Sequence, residues 1–274
     1  MRRKLGISPC PNDTFMFHAI LERKIDMRGF EFEVELLDIQ ELNEALARHH
    51  FDFSKASSVA ALAARAEYRI VDAGAAVGFG VGPLLVSTSD APPLHAEPAR
   101  ILLPGVNTTA ALLFRHFFPS HGPLTHTIFS DIMPALTESR ADYGVVIHEG
   151  RFTYQDHGLK LVADLGQLWE STYEVPLPLG FIVAKSSLAD ECCERFTELV
   201  RDSIRYAYEH RDEVILTMRR HARELSDQVL WAHVDLYVNQ WSLKLGVHGE
   251  EAMRCFGDVV QRYISSTTSG VSLE

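Results

Sequence analysis

The feature that most restricts this chain is an alternation of strand-like and helix-like stretches that halts twice at proline-rich segments. Lys4 to Ser8 reads as a strand, ended by Pro9 and Pro11, and Asn12, Asp13 or Thr14 can cap a helix from Phe15 to Arg23. Phe30 to Leu37 (FEFEVELL) alternates apolar and polar residues as a half-buried strand does. A helix over Ile39–Arg48, a short strand over Phe51–Phe53, and an alanine-rich helix over Val59–Ala66, capped by Ser57 or Ser58, follow. Tyr68–Asp72 and Pro83–Ser87 are two more strands. The pattern breaks at Ser89–Glu97 (SDAPPLHAE) and restarts with a strand at Arg100–Leu103 and a helix opened by Thr108–Thr109. Thr127–Phe129 is a short strand, Asp131 caps a helix over Ile132–Glu138, and Asp142–Ile147 (DYGVVI) is a buried strand that delivers His148 at its carboxyl end. A second break, Val175–Gly180 (VPLPLG), leads into a strand over Phe181–Ala184. Helices follow over Leu188–His210, Asp212–Leu225, Asp227–Trp241 behind a Ser226 cap, and Glu250–Tyr263. Alternation of this kind implies an α/β fold with largely parallel strands. Two breaks divide it into one lobe of residues 1–89 plus 176–274 and an inserted lobe of residues 90–175. The chain then crosses twice between the lobes, and ligands of such sheets bind in the cleft at the carboxyl ends of the strands.

Composition narrows the function. With 26 Lys and Arg against 37 Asp and Glu, the 274-residue chain carries a formal charge of −11, which argues against nucleic acid as a partner. A small anionic ligand responds to the local field and stays admissible. No stretch has the roughly 18 apolar residues of a membrane span, and MRRKLGISPCPNDTF lacks the apolar core of a secretory signal. Cys10, Cys192, Cys193 and Cys255 have no zinc-ligand spacing, so a reduced, cytoplasmic protein without a metal is expected. Neither HExxH, GxSxG nor a P-loop is present. Gly78-Phe-Gly-Val-Gly82 precedes a strand instead of following one, so it reads as a turn or hinge.

Three strand-to-helix junctions can carry chemistry: Ser8–Phe15 (SPCPNDTF), Ser54–Ser58 (SKASS) and Gly105–Thr109 (GVNTT). Each sets hydroxyl or amide side chains, Asn12, Ser57, Asn107, Thr108 and Thr109 among them, beside the free N–H groups of a helix start. Such a place attracts a carboxylate or phosphate, although plain N-capping explains any one junction equally well. His148, at the end of an apolar strand and before Glu149-Gly-Arg151, is the best candidate for proton transfer. A packing role competes, since the chain has 13 histidines. Glu149 and Arg151 read as an orienting pair or a surface ion pair. Cys10 reads as a structural thiol, and Trp169, Trp231 and Trp241 as core.

Taken together, Ser8–Phe15, Gly80-Val-Gly-Pro-Leu84, Asn107-Thr-Thr109, Ile147-His-Glu149 with Arg151-Phe-Thr-Tyr154, Leu177-Pro-Leu-Gly180, and Trp231-Ala-His-Val234 with Tyr237-Val-Asn239 resemble the 1,4-dihydroxy-6-naphthoate synthase family of the futalosine route to menaquinone. The resemblance covers nearly the whole chain. It implies a two-lobed periplasmic-binding-protein-like (type II) fold reused as a cytosolic enzyme. It also implies a reaction, cyclic dehypoxanthinylfutalosine to 1,4-dihydroxy-6-naphthoate and dihydroxyacetone, without a cofactor. The family's histidine base falls on His148 and its substrate-contacting segments on Lys55-Ala56-Ser57 and Thr108-Thr109. Ala56 stands where the family often carries leucine, which changes pocket shape. The last of the quoted segments reads as helix decoration. A homodimer is an admissible assembly. Competing readings are a non-catalytic cytosolic solute-binding protein and the sister chorismate-derived dehydratase of the same pathway.

Overall fold

The computed structural model describes residues 1–88, 91, 94–95, 99–222 and 225–269, with side chains to residue 263. The strands are β1 (Arg2–Ile7), β2 (Glu31–Leu36), β3 (Phe53–Ser57), β4 (Tyr68–Ile70), β5 (Ala76–Gly78), β6 (Leu84–Ser87), β7 (Ile101–Pro104), β8 (Leu124–Thr127), β9 (Tyr143–Val146), β10 (Lys160–Asp164) and β11 (Leu177–Lys185). The helices are α1 (Pro11–Met16), α2 (His18–Leu21), α3 (Ile39–Ala47), α4 (Ser58–Ala63), α5 (Thr109–Phe117), α6 (Ile132–Thr137), α7 (Gly150–Thr153), α8 (Leu165–Tyr173), α9 (Asp190–Glu209), α10 (Arg211–His221), α11 (Asp227–Tyr237), α12 (Gln240–Leu243) and α13 (Gly246–Ser269).

The strands form two sheets. The first runs β2-β1-β3-β11-β4, with β5 also on β11, and the second runs β10-β6-β9-β7-β8. In each sheet the βα units pair in parallel, β1 with β2 and β3, and β7 with β8 and β9. The strands made near the crossings, β11 in the first sheet and β6 and β10 in the second, pair antiparallel. The two-sheet α/β architecture expected from the alternation is therefore present. The first crossing differs from the sequence boundary at residues 89–90. Leu84–Ser87 is hydrogen-bonded between β9 and β10, so the chain leaves the first sheet at Phe79–Pro83, the glycine-rich segment read as a hinge. Most of Ser89–Glu97 lies outside the described residues, and its position in the chain is between β6 and β7 of the second sheet. The return runs between α8 and β11.

The apolar pattern accounts for the layers. α9 repeats Cys192, Phe196, Leu199, Val200 and Ile204 along one buried stripe, the i, i+3, i+4 spacing of an amphipathic helix. Phe196 stacks on Phe53 with ring centroids 3.8 Å apart, inside a cluster that also takes Phe15, Phe17, Phe30 and Leu230. A second cluster is shared by both sheets. It joins Val59 and Leu62 of α4 and Phe256 of α13 to Leu85, Leu103, Phe114, Val145 and Trp169 of the inserted part. The two halves thus share a continuous apolar core behind the cleft.

Local caps form where the sequence places them at Ser57, Thr108 and Ser226, each accepting a backbone N–H of the first turn. Two others differ. Asp131 makes no side-chain cap, because a 3-10 turn over Phe129–Asp131 runs directly into α6. At the first junction the helix starts earlier, at Pro11, since proline is favoured in a first turn; Asn12, Asp13 and Thr14 lie inside it, Asn12 and Asp13 reaching His233 and Lys55 while the Thr14 hydroxyl donates to the Cys10 and Pro11 carbonyls. Between Glu149 and Glu174 the structure adds α7, β10 and α8, which the sequence pattern leaves unassigned.

The crossing is held by two glycines in backbone contact. A Cβ on Gly82 would lie 2.2 Å from the Cα and N of Gly166 in α8, atoms that no rotamer change can move. Gly82→Ala is therefore expected to lower stability by about 1–3 kcal/mol, the range for forced overpacking, or more. Urea unfolding followed by circular dichroism measures it; an unchanged midpoint would mean that the crossing shifts freely.

Candidate active site

The cleft between the sheets is bordered by Asn12, Ser57, Thr108, Thr109, His148 and His233, with Val81, Ile147, Leu179 and Tyr237 as apolar wall. The three junctions expected to face a ligand converge here, because they stand at the carboxyl ends of β1, β3 and β7.

Each hydroxyl has a defined role before any ligand arrives. Ser57 Oγ donates to the Asn107 carbonyl at 2.7 Å and caps α4 through Ala60 N–H. Thr108 Oγ1 donates to the Pro104 carbonyl at 2.5 Å and caps α5 through Ala111 N–H. Thr109 Oγ1 donates to the Leu179 carbonyl at 3.0 Å, tying the inserted part to the return strand. Their protons are engaged, so toward a ligand these side chains act as acceptors. At the start of α5 the Thr109 and Ala110 N–H groups have no intrahelical carbonyl to meet, while Ala111 N–H is taken by Thr108 Oγ1.

Three of the expected residues are not among those that border the cleft. Lys55 is 5% exposed, and its Nζ pairs with Asp13 Oδ1 at 3.2 Å. Ala56, on the opposite face of β3, is fully buried against the cluster of Tyr68, Phe181 and Val183. Both follow from Phe53–Ser57 being strand throughout, which alternates the side chains between two covered faces. Asn107 presents its carbonyl to Ser57 and to Asn43 Nδ2, at 2.7 and 3.2 Å, and is not among the cleft residues.

Asp13 is the centre of the first junction. One carboxylate oxygen accepts from Ser8 N–H at 3.2 Å and Ser8 Oγ at 2.8 Å; the other accepts from Asn12 Nδ2 at 2.9 Å and meets Lys55. These bonds curl the SPCPND segment over the end of β1, with Asn12 at the cleft and Cys10 against His148.

His148 comes from the other sheet. It follows β9 with φ +52°, the left-handed region that non-glycine residues enter at a cost of about 1–3 kcal/mol and that gathers at functional sites. Its ring lies 3.4 Å (Nδ1) and 3.8 Å (Nε2) from Cys10 Sγ and edge-on to Phe129 at 4.9 Å. Burial lowers its pKa below the ordinary histidine value, while Glu149, Asp38 and Asp13 act in the opposite direction. The imidazole is therefore neutral at pH 7 and able to accept a proton. Burial also pushes the Cys10 thiol far up, so Cys10 is a protonated neighbour and not a thiolate nucleophile. Arg151, expected beside Glu149, instead pairs with Asp164 at 2.7 Å and donates to the Gly82 carbonyl at 2.6 Å, fastening α7 to the crossing.

His233 is the group that sequence reasoning missed. It sits in α11 within Trp231-Ala-His-Val234, fully buried, with Nε2 3.0 Å from Asn12 Oδ1 and its ring parallel to that of His148 at 6.2 Å. A histidine on an otherwise apolar helix face reads as core. The signal that separates it from core is the shared presence of this segment and of Asn12 in one motif set.

Among the described residues no group of three His, Cys, Asp or Glu side chains is arranged to hold a metal, all four cysteines are unpaired, and no helix is long and apolar enough to cross a membrane.

Residues 3–262 match the menaquinone biosynthesis family. The chain belongs to that family. A curated relative from Thermus thermophilus, 1,4-dihydroxy-6-naphthoate synthase, is 38% identical over 96% of this chain and 96% of its own. A crystal structure of an Archaeoglobus fulgidus protein superposes with a TM-score of 0.88 at 30% identity, over 96% of this chain and 97% of that one. A Candida albicans protein described as having the generic periplasmic-binding-protein fold aligns at TM-score 0.64 and 14% identity, over 97% and 95% of the two chains, which shows the fold alone. This member of the menaquinone biosynthesis family is thus an enzyme of that pathway on a periplasmic-binding-protein-like fold.

The geometry makes Lys55 structural. Lys55→Met strands the fully buried Asp13 carboxylate and is expected to cost about 3–5 kcal/mol in unfolding free energy, the range for removing one partner of a buried pair. Chemical denaturation measures it. Wild-type stability combined with weakened substrate binding would return Lys55 to the cleft.

Proposed function

We propose that this enzyme is a carbon–carbon lyase that converts cyclic dehypoxanthinylfutalosine into 1,4-dihydroxy-6-naphthoate and dihydroxyacetone, with His148 as general base. The observation that carries the reading is the placement of an imidazole, held neutral by burial, on the wall of a cleft that the start of α5 also borders. The family membership and the named Thermus relative support this reading.

The substrate carries a carboxylate and a polyhydroxylated ring joined to a carbocycle. The first-turn N–H groups of α5 hold the carboxylate, since a helix N-terminus favours an anion without a lysine nearby. Ser57, Thr108 and Thr109 accept from its hydroxyls. His148 removes a hydroxyl or carbon-bound proton and so starts carbon–carbon cleavage. Formation of the aromatic naphthalene supplies the driving force. The apolar wall of Val81, Ile147, Leu179 and Tyr237 excludes water from the cleaving bond and fixes the reacting geometry.

Because the base is active when unprotonated and its pKa lies below the usual histidine value, kcat/KM is expected to fall only below about pH 6.5 as His148 becomes charged. His148→Asn, a residue that tolerates the left-handed backbone, is expected to fold and to lower kcat by about 10²–10⁴. Purified protein mixed with cyclic dehypoxanthinylfutalosine and followed by mass spectrometry tests both parts. Naphthoate from wild type and not from His148→Asn supports the reaction and the base. Equal turnover by both removes His148 from the role. An intact, bound substrate with wild type would turn the reading to a binding protein or to the sister dehydration.

A further inference from the structure

The reaction as proposed leaves the second imidazole of the cleft without a role. His233 borders the cleft, is completely buried, and packs against Tyr237 with ring centroids 4.6 Å apart. Its Nε2 lies 3.0 Å from Asn12 Oδ1, while its Nδ1 is a buried polar atom with no hydrogen-bond partner.

Which nitrogen carries hydrogen follows from the groups behind Asn12. The Lys55 ammonium can only donate, so Asp13 Oδ1 beside it accepts. Asn12 Nδ2 lies 2.9 Å from that same oxygen, and a flipped amide would set two oxygens against each other. Asn12 therefore turns its oxygen to His233, and only a protonated Nε2 can meet it. A neutral imidazole has one N–H, which leaves Nδ1 as a bare lone pair. Burial, with His148 adding to it, keeps His233 neutral.

A buried acceptor without a partner is rare in folded proteins and marks a place where something else supplies the hydrogen. We propose that His233 is a substrate-contacting residue whose Nδ1 accepts a hydrogen bond from a hydroxyl of the bound substrate, with Asn12 as the positioning residue that fixes this tautomer. The inference rests on the reaction proposed above. It divides the work between the two parallel imidazoles. His148, beside Glu149 and the Cys10 thiol, takes the proton. His233 cannot share a positive charge with the neutral amide behind it, so it orients a hydroxyl without removing its proton.

Two substitutions separate the ring nitrogens. In His233→Asn the side-chain oxygen takes the place of Nδ1, whereas in His233→Gln the side-chain amide nitrogen takes the place of Nε2 and keeps the bond to Asn12. The expected result is that His233→Gln falls roughly ten- to hundredfold in kcat/KM, as for one lost hydrogen bond to a buried group, and falls further than His233→Asn. The reverse order, or no loss in either, overturns the proposal. A readout that does not depend on these variants folding is the imidazole nitrogen spectrum of nitrogen-15 histidine-labelled His148→Asn protein, titrated with cyclic dehypoxanthinylfutalosine to calorimetric saturation. The proton is expected on Nε2 in the free protein, with the Nδ1 resonance moving on saturation. A protonated Nδ1, or one that stays still at saturation, overturns the proposal even if both variants lose activity. Wild-type turnover with a silent Nδ1 sinks this inference and spares the reaction; a substrate that neither binds nor reacts sinks both.

Discussion

The ion pair of Lys55 with Asp13 is the constraint on which the site depends. Both groups are buried, one on β3 and the other on α1, and neither has solvent to fall back on. Such a pair adds little net stability over an apolar replacement, because desolvation offsets most of the Coulomb attraction. Its effect is positional. The carboxylate has a small number of ways to satisfy its lone pairs, and the one adopted collects Ser8 N–H, Ser8 Oγ and Asn12 Nδ2. That choice fixes the SPCPND turn, the orientation of the Asn12 amide and, one step further, the His233 ring. A charge buried in the first sheet thus sets the hydrogen-bonding sense of a group in the cleft.

The second dependence is between the halves of the molecule. His148 is delivered by β9 of the second sheet, while Asn12, Ser57 and His233 belong to the first sheet and its helices. They form one site only because the sheets are held together. Cys10 touches His148, Ser57 bonds the Asn107 carbonyl, Thr109 bonds the Leu179 carbonyl, and a shared apolar cluster lies behind them. The Gly82–Gly166 contact and the Arg151–Asp164 pair clamp the crossing beside this cluster. A binding-protein architecture of two lobes becomes, in this arrangement, a cleft with chemistry on both walls.

Much of this was legible in the sequence, and the parts that were not share a cause. The caps at Ser57 and Thr108 are local chemistry, one side chain and a backbone group three residues on, and strand-to-helix order exposes them. His148 is legible because an apolar strand delivers a polar residue at its end. The first junction misleads because Asn12, Asp13 and Thr14 resemble caps, yet Asp13 is claimed by Lys55, a partner 42 positions away that no local pattern indicates. Lys55 and Ala56 look like loop residues next to two serines; β3 runs through them only because β1 and β11 pair on both sides. β6 sits ahead of the composition break because its partners β9 and β10 come from far downstream. β10 itself is short and half exposed, and carries too little periodicity to declare itself. His233 hides in a helix whose other buried positions are apolar.

The formal charge of −11 is compatible with the anionic substrate proposed above. The cations nearest the cleft are already engaged, Lys55 by Asp13 and Arg151 by Asp164. What the cleft offers an anion is oriented backbone N–H at the start of α5, whose partial positive charge acts over one turn and needs no counter-charge in the sequence. A free lysine or arginine here would also hold a substrate carboxylate, but it would draw water into an apolar pocket. In the proposed reaction the helix start binds the carboxylate and the neutral His148 takes the proton, so no fixed charge is needed beside the cleaving bond. The same burial that lowers the pKa values of His148 and His233 also strengthens each hydrogen bond made there, because the medium around the reacting atoms is poorly screening. In the proposed reaction, binding and proton transfer thus draw on one physical condition, the burial of the site.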